Sequence, residues 1–251
     1  MPLSLTQTCS SGTLLMLLVS NLLLWEKVAS APMNVSEAGL SKVSLKDLFD
    51  NATALAENIT ELATEMRLEF FHDKFSSEIF NKIILDLSKK NKMAELVNSC
   101  HTLPIKTPDT TEEVRNTTIE GFLKLTLSIL HAWKDPLKHL VAELSAMPEA
   151  PHVILSKAKA IEAQHKIFLE EIVRIVSKVN PAIKETEDPP VWSDLESLRA
   201  ADEEIRFFAL YLFSYCLRLD LRIVEFYVNI LKCIFINGDI CYTYFEPLMN
   251  F

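Results

Sequence analysis

The residues of this sequence best suited to covalent chemistry are four cysteines, Cys100, Cys216, Cys233 and Cys241, with Cys9 a fifth near the N-terminus. A thiolate nucleophile needs a base held beside it, and a structural zinc site needs closely paired ligands such as C-x-x-C. Neither pattern occurs. Cys100-His101 is no dyad, because chain neighbours rarely point at each other, and the other histidines are scattered. No G-x-x-x-x-G-K or G-x-G-x-x-G run offers a phosphate cradle. An enzyme, a metal site and a cofactor are therefore all disfavoured.

What remains for the cysteines is pairing with one another. Cys216 and Cys233 fall in one continuous helical pattern, 17 residues apart. At 1.5 Å per residue that is about 25 Å, far beyond disulfide reach. Joining Cys216 to Cys241 would need the eight residues after Cys233 to run back along the helix fully extended, about 26 Å. Cys233–Cys241 closes a short loop through the turn-forming Asn237-Gly238. Cys100–Cys216 is then left. Its long loop is worth roughly 4–5 kcal/mol in the chain-entropy model, against about 2–3 for the short one.

Four N-x-S/T sequons offer a second covalent chemistry: Asn34-Val-Ser36, Asn51-Ala-Thr53, Asn58-Ile-Thr60 and Asn116-Thr-Thr118. Disulfides and sequons both need an oxidising, secretory compartment. The N-terminus supplies the route. Thr13–Trp25 is a Leu-rich run interrupted only by Ser20 and Asn21. It is too short for a bilayer, which takes roughly 20 apolar residues, and suits a signal-peptide core. An uncleaved anchor is the competing reading, disfavoured by that length. Cleavage after Ser30 or after Ala31 both fit, so residues 1–31 are expected to leave, with Cys9, and 32–251 to form one domain. Against the pattern, no Lys or Arg precedes the run. The net charge of −9 argues against nucleic acid and anionic membrane as partners. No later segment is apolar enough for membrane insertion.

Four amphipathic helices must carry these groups. Ser44, with Asp47 three residues on, is an N-cap signal for the first, over about 45–72, with Leu48, Leu55, Ile59, Leu62, Met66 and Phe70 on one face. Asn51 and Asn58 fall on a flank of that face. A short helix over 75–87 is expected within the crossover to Cys100. The second long helix, over 110–146, carries Ile119, Phe122, Leu125, Ile129, Trp133, Leu137, Leu140 and Leu144, with Pro136 as a kink and Gly121 as a weak point. The third, over 152–179, has Ile154, Ala158, Ile161, His165, Phe168, Ile172, Ile175 and Val179 in a 4,3 alternation. His165 reads as a hydrogen-bonded or boundary histidine rather than a ligand. The fourth, over 201–236, shows Phe208, Leu212, Tyr215, Leu219, Ile223, Phe226 and Ile230 as its core stripe. Connections that run long, short and long make successive helices parallel, antiparallel and parallel. The expected fold is all-α, a four-helix bundle with up-up-down-down cytokine topology and two long crossovers.

On particular runs the sequence closely resembles the prolactin and growth-hormone family of secreted four-helix hormones. These are Asn98-Ser-Cys-His-Thr102, Ser128-Ile-Leu-His-Ala-Trp133, Pro136-Leu-Lys-His-Leu140, Ile154-Leu-Ser-Lys-Ala158, Pro190-Val-Trp-Ser193 and Leu231-Lys-Cys233. The likeness runs from Ser44 to Cys241, and both inferred disulfides agree with the family pattern. The leader and the region 45–52 look like the rodent placental prolactin-like proteins, particularly the proliferin-related group. The resemblance implies a monomeric ligand for a single-pass cytokine-type receptor, the prolactin receptor or another. It also suggests placental origin and, more remotely, control of blood-vessel growth.

By position, Arg218 and Tyr227 match receptor-contact residues of the family, and Arg222 stands where prolactin has a histidine. From the residues alone, Arg218, Arg222, Glu225 and Asn229 form a polar stripe beside the core seam, which a merely solvated face explains equally well. Departures also matter. Ile223 replaces a surface lysine, and Glu57 and Thr60 replace histidines. Glu171 replaces the small glycine at the second receptor site, where a carboxylate fills space that a second receptor needs. Sugars on the first helix would crowd the same face. These changes point to a poor bivalent agonist: a one-site antagonist, or a ligand of another receptor. A secreted carrier is the other alternative, and it would require an internal cavity.

Overall fold

In a computed structural model, residues 43–183 and 189–238 are described here, and among them there is no strand. The helices are α1 (Leu45–His72), α2 (Ser77–Lys89), α3 (Thr111–Asn116), α4 (Ile119–Ala146), α5 (His152–Val179), α6 (Leu195–Leu198) and α7 (Glu203–Asn237), with a 3-10 turn at Met93–Ser99. The leader, Asn34 and Cys241 lie outside the described residues.

The local signals explain most helix ends. Ser44 caps α1 reciprocally: its Oγ accepts from the Asp47 N–H at 3.1 Å, and Asp47 accepts from the Ser44 N–H. α2 closes in a Schellman motif. Asn91, in the left-handed region at φ 54°, donates to the Ser88 carbonyl, and Lys92 donates to Leu87. Asp202 caps α7 with bonds from the Glu204 and Ile205 N–H groups.

One expected helix is two. The run over 110–146 breaks at Thr117-Thr118, where Thr118 turns extended and its Oγ1 accepts from the Gly121 N–H at 3.0 Å. Gly121 is there because the cap is tight: a Cβ would sit 3.1 Å from Thr117 Cγ2 and 3.3 Å from Thr118 Oγ1. The glycine that reads as a weak point lets the cap close without displacing either threonine side chain. Pro136 lies inside α4 without ending it.

α1 packs chiefly on α7 and α5, and α4 packs on α5 and α7. The α5 seam is as expected, buried from Ile154 through Ile175. α1 buries more than its large residues: Ala52, Ala56 and Ala63 are in the core, while Leu55 and Leu62 sit at its margin. Ile119 is exposed.

The stripe expected on the last helix is displaced. The buried line of α7 is Phe207, Leu210, Ser214, Leu217, Leu221, Val224, Val228 and Leu231; Phe208 is 41% exposed, and of the expected stripe only Ile230 is fully buried. Outside one polar line, α7 is apolar over most of its circumference. Two stripes one or two residues apart are both plausible in the sequence, and packing against α1 and α4 selects one. The second crossover also packs on α7, where Trp192 meets Phe213 edge-on at 5.5 Å between ring centres.

The Cys100–Cys216 disulfide ties the crossover to α7, with Cα atoms 5.5 Å apart. Beside it, buried Asp220 accepts from Thr102 Oγ1 and Trp133 Nε1, each at 2.7 Å. One carboxylate thus joins the crossover, α4 and α7. Burial raises its pKa to about 6, against the pull of those two donors. His165 is also buried in the α5 seam. Burial drives its pKa down to about 4 despite the Leu130 carbonyl, and His131 adds to the drop.

Candidate functional site

Two helix faces hold the residues singled out from the sequence. On α7, Arg218, Arg222, Glu225 and Asn229 follow one another at spacings of 4, 3 and 4, so one side of the helix carries all four. Arg222 is exposed and the others half-buried. Their neighbours come from α1. Glu225 is held above its ordinary pKa by burial and then by Glu57, while Thr60 and Arg222 oppose the rise. Arg218 is lowered by burial and then by the adjacent Arg222 and Arg67.

Tyr227 does not belong to this surface. It is 1% exposed, packed against Phe122 at 5.2 Å, and desolvation pushes its phenol pKa up. A step of 100° per residue from Phe226 turns it inward. Ile223 is half-buried against the core.

Arg67 of α1 completes the α7 face, and position alone could not reveal it. Its Nη1 donates to the Tyr211 carbonyl at 3.2 Å and to Ser214 Oγ at 2.9 Å. Its guanidinium lies over Tyr211 at 4.6 Å, within cation–π range. Arg174, Arg199 and Arg206 each pair with a carboxylate. Arg67, Arg218 and Arg222 form no ion pair among the described residues.

The second face lies between α1 and α5. Glu171 is 5% exposed. Its Oε2 accepts from Arg174 at 3.0 Å and its Oε1 from Asn51 Nδ2 at 3.4 Å. The carboxylate does not project into solvent, as a bare substitution for glycine suggests. Asn51 and Arg174 cover it, and they are what the face presents. Asn51, Asn58 and Asn116 are exposed, although the hydroxyl residues of the first two sequons, Thr53 and Thr60, are buried. Cys233 is disulfide-bonded, and its expected partner lies outside the described residues.

The model of the somatotropin hormone family matches residues 17–241. The chain belongs to the somatotropin hormone family. It is similar to mouse Prolactin-7D1, 63% identical over 243 residues, covering 96% of this chain and 99% of that protein. Mouse Prolactin-7C1 and rat Prolactin-7B1 are each 46% identical over 242 residues, 96% of either chain. The resemblance to the prolactin and growth-hormone family therefore holds along nearly the whole chain.

Members of the somatotropin hormone family are hormones rather than enzymes. Among the described residues, no group of three or more His, Cys, Asp or Glu could hold a metal. Among them also, no helix is long and apolar enough to cross a membrane.

Proposed function

We infer that this protein is a secreted ligand of a single-pass cytokine-type receptor that engages one receptor well and a second poorly. Residues 1–31 act as the signal peptide and 32–251 as one hormone domain, glycosylated at Asn34, Asn51, Asn58 and Asn116, with Cys233–Cys241 as its second disulfide. The up-up-down-down topology is supported by the packing of α1 on α5 and α7 and of α4 on the same two helices. These are the antiparallel neighbours in that arrangement.

The first receptor face is the α7 ribbon of Arg218, Arg222, Glu225 and Asn229 with Arg67 beside it. The observation that carries the one-site reading is Asn51, a sequon residue that sits directly on the buried Glu171 in the α1–α5 face. A sugar on Asn51 would stand where a second receptor must approach. Even without it, binding there would have to desolvate Arg174 and Asn51 over a buried carboxylate. Placental action and control of vessel growth are the roles this reading favours.

The test is complex stoichiometry. Glycosylated protein mixed with prolactin-receptor ectodomain is expected to give a 1:1 complex or none by light scattering, and no signalling in cells that need receptor dimerisation. A 1:2 complex and full signalling at hormone-like concentrations would overturn the reading.

A further inference from the structure

We propose that Arg67 of α1 with Arg218 and Arg222 of α7 forms a binding strip for a sulfated polysaccharide chain. The strip shares the α7 ribbon with the receptor face, but the binding does not depend on that reading. Carboxylates are plentiful on this chain, whose net charge is −9. Arg174, Arg199 and Arg206 each pair with one. Arg67, Arg218 and Arg222 form no ion pair among the described residues and lie beside one another instead. Arg218 shows it: burial, then the charges of Arg222 and Arg67, push its pKa down. Its Nε is buried with no hydrogen-bond partner among the described residues. Three like charges held together repel, and an anion lying across them removes that repulsion.

The fold fixes the shape of the strip. Arg67 is held in place: its Nη1 donates to the Tyr211 carbonyl at 3.2 Å and to Ser214 Oγ at 2.9 Å. Its guanidinium also lies over the rings of Tyr211 at 4.6 Å and Tyr215 at 5.4 Å. Only Nη1 is used in hydrogen bonds among the described residues. Arg67 is thus level with Ser214, and Arg222 lies eight residues further along α7, about 12 Å along the axis. A single anion covers one or two guanidinium groups, whereas a row of that length fits a chain that repeats its charge. Sulfate esters suit the row, because the planar guanidinium fork donates parallel hydrogen bonds to an oxyanion. Glu225, which feels both Arg222 and Glu57, closes the strip at one end. The overall negative charge repels a polyanion elsewhere on the molecule, so binding is confined to these three residues.

The test is calorimetry of the full-length secreted protein with a heparin-derived octasaccharide at about 0.15 M salt. Saturable binding is expected, and it should vanish when the sugar is chemically desulfated. Arg222→Gln changes an exposed position and is expected to weaken binding about 5-fold. Adding Arg67→Gln and Arg218→Gln should bring the loss to about 30-fold or more. A linear polyanion binds partly by releasing counterions, so the fall of affinity with salt should become shallower as each arginine is removed. Lys124→Gln, which removes a half-exposed cation on α4, should leave binding unchanged. Circular dichroism checks the fold of each variant; if the triple variant does not fold, Arg222→Gln decides by itself. No saturable binding, unchanged binding by Arg222→Gln, or an equal loss with Lys124→Gln overturns the proposal. So does binding of a tyrosine-sulfated peptide in the absence of octasaccharide binding, because the occupant is then a peptide.

Discussion

Replacing Asp220 by asparagine should remove a stabilisation that wild type gains as pH falls. Asp220 is buried, with Thr102 and Trp133 as donors and, among the described residues, no cation paired with it. Its pKa rises from 3.8 to about 6 on folding, chiefly because burial penalises the charged form. At 1.36 kcal/mol per pH unit that rise is worth about 3 kcal/mol. The folded state holds the proton more tightly than the unfolded chain, so this contribution is fully present below pH 3.8 and lost as pH rises through about 6. Asparagine keeps an oxygen that can accept both hydrogen bonds but does not titrate. Urea unfolding of wild type and Asp220→Asn, disulfides intact, at steps from pH 7.5 to pH 3.8 is the assay. The stability difference should move by about 3 kcal/mol in favour of wild type as pH falls over that range. Other titrating groups, His165 among them, are shared by the two proteins and cancel. Parallel pH profiles for the two proteins would refute the reasoning.

His165 has the opposite sign. Its folded pKa of about 4 lies below the ordinary 6.5, so wild type should lose about 3 kcal/mol between pH 6.5 and 4; the pH slope of His165→Leu should lack that component. Cys100→Ser with Cys216→Ser opens a loop of 116 residues and should cost about 4–5 kcal/mol in unfolding free energy, measured by thermal or urea melting. Thr118→Ala removes the α4 cap and should cost about 1 kcal/mol by the same measurement. Asn51→Gln should drop the mass of the secreted protein by one glycan on mass spectrometry. It should also increase binding of a second receptor ectodomain in light scattering; unchanged stoichiometry would count against a sugar block on the α1–α5 face.

Much of the fold was legible because it depends on short-range rules. Ser44 and Asp47 announce the start of α1, and the regular seam of α5 has only one face that can be buried. The break before α4 was hidden because the apolar spacing runs on past it, although Thr117 and Thr118 are poor helix formers and threonine is a favoured N-cap. The core stripe of α7 was misread by one or two residues for a different reason. Phe207 and Phe208, or Leu210 and Leu212, are equally apolar, and periodicity cannot choose between two apolar stripes. That shift moved Phe208 from the core to the surface, while Tyr227, which only the family resemblance put on the surface, is in the core. Three alanines in the α1 core were missed because small side chains carry little hydrophobic signal yet allow close helix approach.

By itself, the sequence determined the class of protein. Helix periodicity, cap residues and the runs shared with the hormone family are local in the chain and need no fold to be read. The Cys100–Cys216 pairing also followed from it, because a straight helix fixes the distance between its own residues. The tertiary structure alone decided which groups meet: Arg67 over Tyr211, Asp220 between Thr102 and Trp133, and Asn51 on Glu171. These partners are far apart in sequence, and their contacts depend on the rotation of one helix against another. That rotation is set by the summed packing of many side chains, which no local pattern records.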